Sequence, residues 1–216
     1  MKLTLRATAL IVLLLVAATI ASANSVSLTL NNGGNDVMGG VYVGPYNFTT
    51  GSGQSLQLIC DDFKDEVYPG ESWTAITSTF PSLSNVVPLG TQTQYEEVAW
   101  LVEQMSQNMG NPTTVGEIQW AIWAVFDPSI LTPGGDPYGS ISPYLTGIDG
   151  WLDQAEMPSN YANGNYSNLT IYTPASDPAG YGPPQEYVGV PEPSSLALLV
   201  TGMLALMLLV IRRGRA

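Results

Sequence analysis

Alternation of polar and apolar residues predicts that the first third of the chain is rich in β-structure. Residues 25–30 read SVSLTL, in which every second side chain is apolar, as in a strand with one buried face. The Asn-Asn-Gly-Gly sequence that follows is typical of a turn. The same patterns predict three further strands, at 41–48, 55–60 and 73–78.

The middle of the chain changes to helical spacing. A first helix is predicted from apolar side chains three and four residues apart: Val98, Leu101, Val102, Met105 and Met109. Thr93 and Glu96 have the spacing of a capping box at its start, and Gly110 predicts its end.

A second helix is predicted at 115–126, where Thr114 and Glu117 repeat the capping-box spacing and Asp127-Pro128 ends the helix. A shorter helix is predicted around 148–157. Strands are predicted again at 169–172 and 186–190.

This order of elements predicts an α+β fold with a β-rich N-terminal part, a central segment of two to three helices, and C-terminal strands. The predicted folded domain covers residues 24–189, which is enough chain to bury a core without metals or disulfides. A transmembrane helix is expected to follow this domain.

The N-terminal segment, 1–23, has the three parts of a secretory signal peptide. Lys2 and Arg6 provide the positive start, an apolar run follows, and Ala21-Ser22-Ala23 provides the small residues of a cleavage site. We expect a signal peptidase to cleave after Ala23. The alternative is an uncleaved membrane anchor.

The C-terminal segment, 190–216, begins with Pro191-Glu192-Pro193 inside the motif at 190–195. An uncharged apolar run of 16 residues at 196–211 then spans about 24 Å as a helix, a little short of a hydrocarbon core of about 30 Å. Arg212, Arg213 and Arg215 lie in the basic end at 212–216, which the positive-inside rule assigns to the cytoplasm. The folded domain is therefore expected outside the cytoplasm.

The order of this motif, helix and basic end closely resembles the PEP-CTERM sorting signal. The resemblance implies that an exosortase, a membrane-embedded cysteine transpeptidase, processes the tail near Pro-Glu-Pro. It also implies a Gram-negative cell that makes extracellular polysaccharide. The expected location is the inner membrane before processing, and then the cell surface or the extracellular matrix. The rival interpretation is a permanent single-pass anchor.

Charge is distributed unevenly along the chain. Residues 24–190 contain 17 acidic side chains and one basic side chain, Lys64, for a net charge of −16. Such a domain repels phosphate backbones, which excludes nucleic acid as a partner. The chain has no histidine, the most common general base and transition-metal ligand.

The single cysteine, Cys60, lies at the end of a predicted strand and is followed by four carboxylates: Asp61, Asp62, Asp65 and Glu66. These disfavour the thiolate, and without histidine a papain-like Cys/His nucleophile is excluded. The carboxylates offer oxygen ligands for calcium, but their spacing matches no EF-hand loop, so a solvated acidic turn is the simpler interpretation. No metal site, cofactor or enzymatic activity is predicted.

A second motif changes the meaning of this thiol. Gln119 lies in a Gln-Trp-Ala-Ile-Trp sequence on the second predicted helix, beside Trp120 and Trp123. A strand-end cysteine with this downstream helix resembles the thioester domain of bacterial surface adhesins. The resemblance covers roughly residues 56–190.

The resemblance implies that the Cys60 thiol attacks the Gln119 amide, releases ammonia and leaves an internal thioester that an amine can open. Trp120 and Trp123 are expected to shield the bond from water. Two residues depart from the family pattern, because Asp61 replaces an apolar residue and Glu117 replaces a small one. The alternatives are a degenerate thioester-type fold, and an inert buried thiol with Gln119 as an ordinary helix residue.

Two functional hypotheses follow from these patterns. The first is an exosortase-sorted surface or matrix protein, not an enzyme, whose thioester attaches covalently to an amine-bearing partner. The second is a non-covalent structural or carbohydrate-binding protein of the exopolysaccharide, with loop tyrosines available for stacking on sugars: Tyr138, Tyr144, Tyr161, Tyr166 and Tyr181.

Overall fold

The computed structural model of the protein describes residues 25–79, 89–132, 141–167, 169–175 and 182–189. The signal peptide predicted at 1–23, the sorting motif at 190–195, the apolar run at 196–211 and the basic end at 212–216 lie outside these residues. In the part of the chain that the structure describes, none of the helices has both the length and the hydropathy that a membrane span requires.

The fold is α+β, as the sequence predicts. The strands are β1 (Ser25–Asn32), β2 (Asp36–Met38), β3 (Val41–Val43), β4 (Tyr46–Thr50), β5 (Ser55–Cys60), β6 (Ser72–Thr79), β7 (Thr170–Pro174) and β8 (Tyr187–Gly189). The α-helices are α1 (Gln92–Gln107), α2 (Pro112–Phe126), α3 (Leu145–Ala155) and α4 (Pro158–Tyr161), with short 3₁₀ turns at Pro128–Leu131 and Ser142–Tyr144.

Six of the strands close into an antiparallel barrel in the order β1-β4-β5-β8-β7-β6. The barrel therefore joins the N-terminal strands to the two strands that follow the helices. Aromatic rings fill its interior, where Phe48 makes edge contacts with Trp73 and Tyr187 at centroid distances of 5.8 and 4.8 Å. Rings of this size bury large apolar areas and give the barrel a solid core.

The strand predicted at 41–48 is two strands, because Gly44 and Pro45 interrupt it. Gly44 has a φ of +89°, in the left-handed region, and Pro45 has no N–H to donate to a strand ladder. As a result β3 pairs with β2, which the sequence did not predict, in a separate two-stranded hairpin.

The hairpin packs on α2. Met38 lies against Gly116, where an added Cβ would come within 2.6 Å of the Met38 side chain. The glycine thus allows a close approach between hairpin and helix.

Both predicted capping boxes are wrong by two or three residues. The first is formed by Thr91 and Gln94, so that α1 begins at Gln92. The second helix is capped by the Asn111 side chain and has Pro112 in its first turn, where a missing N–H costs no helical hydrogen bond. The first helix also ends before Gly110, at Gln107.

Candidate functional site

Cys60 is the last residue of β5 and pairs with Tyr187 of β8. Its side chain is completely buried and carries a free thiol. The Sγ atom donates a hydrogen bond to the Asp62 carbonyl oxygen at 3.0 Å. The barrel therefore holds this thiol in a fixed place at one of its rims.

Gln119 lies on α2 among residues that are almost all apolar and buried. It has no exposed surface, and both atoms of its amide have partners. Its Nε2 donates to the backbone carbonyl of Cys60 at 2.6 Å, and its Oε1 accepts from the Gly44 N–H at 3.3 Å. Because one neighbour is a pure acceptor and the other a pure donor, only this orientation of the amide satisfies both.

The structure thus brings together the two residues that the sequence motifs singled out. Cys60 and Gln119 are 59 positions apart in the chain, yet a direct hydrogen bond joins the amide of one to the backbone of the other. No pattern in the sequence predicted the third participant, Gly44, which lies at the end of the hairpin.

Trp120 and Trp123 are both buried, and their indole rings lie 5.4 Å apart. Phe63, which sequence reasoning missed, packs against both at 5.2 and 5.0 Å. The Trp120 indole N–H donates to the Met38 carbonyl at 3.4 Å, which ties the hairpin to the helix. The three rings form an apolar cluster on the strand–helix junction.

The Trp123 indole lies close enough to the Cys60 thiol to lower its pKa. It makes no hydrogen bond of ordinary distance and angle within the described part of the chain. The stronger influences on the thiol act in the opposite direction. Burial, followed by the neighbouring carboxyl groups of Asp61 and Asp62, raises the pKa of Cys60 well above its usual value. The neutral thiol is therefore the form present at neutral pH.

Only part of the acidic segment after Cys60 is the solvated turn that the sequence suggested, since Glu66 is exposed and Asp65 is half-buried. Asp61 and Asp62 are buried, at 1% and 5% exposure. Asp62 accepts hydrogen bonds from the backbone N–H groups of Lys64 and Asp65 at 2.9 and 3.4 Å, so its carboxylate organises the local chain. No group of three or more potential metal ligands occurs within the described ranges.

Asp61 instead faces a second carboxyl group, Glu186, which directly precedes β8. The Asp61 N–H also donates to the Glu186 carbonyl at 3.3 Å. Glu186 accepts from the Tyr95 hydroxyl at 2.5 Å and from the Thr173 hydroxyl. Neither side-chain oxygen of Asp61 accepts a hydrogen bond from any described residue.

Burial, and then the charge of the neighbouring carboxyl, raises the pKa of Asp61 well above its usual value, and burial also raises that of Glu186. Two facing carboxyl groups hydrogen-bond each other only when one holds a proton. We assign that proton to Asp61, because Glu186 already has two hydroxyl donors. The sequence could not reveal this pair, since its members are 125 positions apart.

Glu117, the other departure from the family pattern, lies away from the thiol. Its carboxyl group packs against Gly147 of α3, where an added Cβ would come within 2.3 Å of it, and it interacts with the Trp151 side chain. Burial raises its pKa. Glu117 therefore belongs to the contact between α2 and α3.

The structure describes three of the tyrosines considered for sugar stacking, and none of these three is fully exposed. Tyr166 is buried, at 5% exposure, and Tyr144 and Tyr161 are half-buried. Tyr138 and Tyr181 lie outside the described residues.

The fold also occurs in proteins of known structure. The pilus-presented adhesin Spy0125 (Cpa) matches with a TM-score of 0.52 and 14% identity, over 77% of this chain and 63% of that one. The two proteins share a fold. The chain thus spans less than two thirds of that adhesin.

Two other similar structures are thioester domains. The N-terminal thioester domain of a surface protein from Clostridium perfringens gives a TM-score of 0.46 at 10% identity, over 77% of this chain and 98% of that one. The N-terminal thioester domain of the fibronectin-binding protein SfbI from Streptococcus pyogenes gives 0.45 at 10% identity, over 80% and 95%. No family model matches the sequence. No curated protein matches it either.

Proposed function

We propose that this protein is a cell-surface adhesin whose folded domain forms an internal thioester between Cys60 and Gln119. One observation carries the proposal: the fully buried Gln119 amide is held on the Cys60 carbonyl at 2.6 Å, beside the only thiol of the chain. The fold shared with a pilus-presented adhesin supports the adhesive role.

In the proposed reaction the Cys60 sulfur attacks the Gln119 amide carbon. The new C–S bond forms, the C–N bond breaks, and the thiol proton leaves with the nitrogen as ammonia. The product is a thioester between the two side chains. An incoming primary amine then attacks the same carbon, forms an amide bond to the Gln119 side chain and returns the proton to the Cys60 thiol.

Fixed geometry supplies most of what this chemistry needs. Reacting groups held together in a rigid fold behave as if they were at very high concentration, with effective molarities of about 10⁵ M or more in favourable cases. The raised pKa of the Cys60 thiol opposes the reaction, so attack by the neutral thiol must be accompanied by proton transfer. The cluster of Phe63, Trp120 and Trp123 limits access of hydrolytic water to the bond.

The scarcity of amines in the domain favours a partner molecule as the source of the amine that opens the bond. Lys64 is the only lysine between residues 24 and 190, and its amine forms an ion pair with Asp127 at 3.5 Å. The net charge of −16 over the same residues favours a basic, amine-bearing partner.

Intact mass of the purified protein tests this proposal. We expect the chain to be lighter than its sequence by the mass of one ammonia, and methylamine to add its full mass to the thioester. The Cys60→Ala chain should have its calculated mass and should not react with methylamine. A wild-type chain of full mass, with a thiol that titrates freely after unfolding, contradicts the proposal.

We further propose that the protein is exported and sorted by exosortase. The proposal rests on the order of Pro191-Glu192-Pro193, the apolar run at 196–211 and the terminal arginines in the sequence. Processing would place the domain at the cell surface or in the extracellular matrix.

Replacing both Pro191 and Pro193 by alanine tests sorting in a host that contains an exosortase. We expect the precursor to accumulate in the inner membrane, because the segment before the helix loses its extended conformation. A variant with Pro183→Ala and Pro184→Ala, upstream of the motif, is the control. Unchanged processing of the Pro191/Pro193 variant contradicts the sorting proposal.

A non-covalent binding protein is the second candidate. The observation that favours it is the exposed outer face of the hairpin, where Val37 and Tyr42 pair across the strands and are 59% and 50% exposed. Such a protein would retain its full mass and would bind exopolysaccharide equally well with Cys60→Ala. Loss of partner capture in that variant distinguishes the covalent adhesin from it.

A further inference from the structure

The Gln119 side-chain oxygen has a buried hydrogen-bond donor. The backbone N–H of Gly44 donates to Oε1 at 3.3 Å, and Gln119 has no exposed surface. In any attack on the amide carbon, the electron pair of the C=O bond moves onto this oxygen. The Gly44 N–H therefore points at the atom on which negative charge develops.

The backbone around Gly44 is restrained by its chain neighbours and by the contact with α2. Gly44 follows β3, precedes Pro45 and has a φ of +89°. A Cβ atom at this position would lie 2.8 Å from Cγ1 of Val115 in α2. A side chain would thus be strained by the backbone and would collide with the helix that carries Gln119.

We propose that the Gly44 backbone amide is the oxyanion donor for both formation and opening of the thioester. This inference rests on the proposed function and assigns the group that stabilises its tetrahedral intermediates. Donors preorganised around a developing oxyanion, in a site that excludes water, are among the largest contributors to acyl-transfer rates.

The second hydrogen bond of Gln119 sets the orientation of its side-chain amide. The Cys60 carbonyl accepts from Nε2 at 2.6 Å and so prevents the amide from rotating by half a turn. The oxygen then faces Gly44, and the nitrogen, which leaves as ammonia, faces the strand. The 3.3 Å bond to Gly44 is long for the neutral amide and has room to shorten as charge accumulates on the oxygen.

The Gly44 N–H also stabilises the intermediate when the thioester is opened. When an amine attacks the thioester, the carbon, the oxygen and the charge that develops are those of the first step. The β2–β3 hairpin is accordingly part of the reaction centre, held on α2 by the Trp120 N–H to the Met38 carbonyl and by the close contact at Gly116.

The sharpest test replaces the Gly44 N–H by an ester oxygen, which removes the donor and adds no side chain. A synthetic segment that ends at Ile59 and has glycolic acid at position 44 can be ligated to the recombinant remainder, because the remainder begins with Cys60. After refolding, intact mass is followed over time for loss of ammonia and then for addition of methylamine. We expect both rates to fall by a factor on the order of 100.

Gly34 offers a matched control within the same segment. Its N–H also donates to a side-chain amide oxygen, Oδ1 of Asn32 at 3.1 Å, and its φ of +84° is nearly that of Gly44. The ester at Gly34 should leave both rates unchanged. The urea midpoint of each chain separates a loss of rate from a loss of stability.

The outcomes distinguish this inference from the proposed function. Loss of ammonia in the all-amide chain, with equal rates in the Gly44 and Gly34 esters, overturns the oxyanion assignment alone. Slow reaction of the Gly44 ester with an unchanged urea midpoint supports it. An all-amide chain of full mass overturns the proposed function and this assignment with it.

Discussion

The two sides of the candidate site differ in how well their buried polar groups are satisfied. On the helix side, Gln119 is completely buried, and both its nitrogen and its oxygen form hydrogen bonds. On the strand side, Asp61 is 1% exposed, and neither of its carboxyl oxygens has a donor among the described residues. Two neighbouring groups of similar size thus have opposite environments.

The two environments have different energetic consequences. A buried amide with both partners costs little, whereas a buried carboxylate without partners costs several kcal/mol unless it takes up a proton. The helix side therefore positions the reacting amide. On the strand side, burial raises the pKa of the Cys60 thiol, the neighbouring carboxyl groups raise it further, and both restrain its reactivity.

Gln119→Ala should produce the largest effect, because it removes the buried hydrogen bonds on the helix side. Truncation leaves the Gly44 N–H and the Cys60 carbonyl without their partner and opens a cavity in α2. We expect the free energy of unfolding to fall by about 2–5 kcal/mol. Urea denaturation measures this, with all chains carrying Cys60→Ala so that no thioester contributes.

Gln107→Ala is the control for that substitution. Gln107 is also a helical glutamine but is exposed at the end of α1, so its loss should change the free energy of unfolding by about 0.5 kcal/mol or less. Equal midpoints for the two variants would show that the buried hydrogen bonds of Gln119 contribute nothing measurable.

Asp61→Asn should stabilise the domain instead, because it replaces the buried carboxyl group of the strand side by an uncharged amide. An amide at this position can donate to the Glu186 carboxylate and carries no charge. We expect the free energy of unfolding at pH 7 to rise by about 1–3 kcal/mol.

The gain should depend on pH in a defined direction. The pKa of Asp61 is raised in the folded chain, so its stabilising contribution is fully present below its unfolded pKa of about 4 and is lost as the pH rises through the folded value. The advantage of Asp61→Asn should therefore disappear in urea titrations near pH 4 and grow towards pH 7. Asp153→Asn removes an exposed carboxyl group from α3 and is the control.

Sequence patterns predicted the helix side better than the strand side. Gln119 and its two tryptophans lie in one short helical motif, whose apolar surroundings are visible from spacing alone. The fold class follows from the same local periodicity. Short motifs thus sufficed where all the participants lie within one or two turns of a helix.

Partners brought together by barrel closure could not be predicted. Glu186 reaches Asp61 only because β8 pairs with β5, and Gly44 reaches Gln119 only because the chain turns out of the sheet before Pro45. The predicted strand at 41–48 concealed that turn, since its residues are strand formers on both sides. Long-range pairing leaves no periodicity in the sequence, so these contacts required the structure.

Lys64→Gln should have the smallest effect, although Lys64 joins the two sides. It follows Cys60 on the strand side, and its amine pairs at 3.5 Å with Asp127, which ends α2 on the helix side. Lys64 is 72% exposed, and exposed ion pairs contribute about 0.2–1 kcal/mol.

Asp127 also accepts from the Ser129 hydroxyl at 2.5 Å and from its N–H at 3.2 Å, and these bonds are the main reason that its pKa is lowered. Its carboxylate therefore stays satisfied without the lysine. Urea midpoints in low and high salt should differ less for Lys64→Gln than for the wild-type chain, and a loss as large as that of Gln119→Ala would mean that the ion pair, and not the buried amide, holds the two sides together.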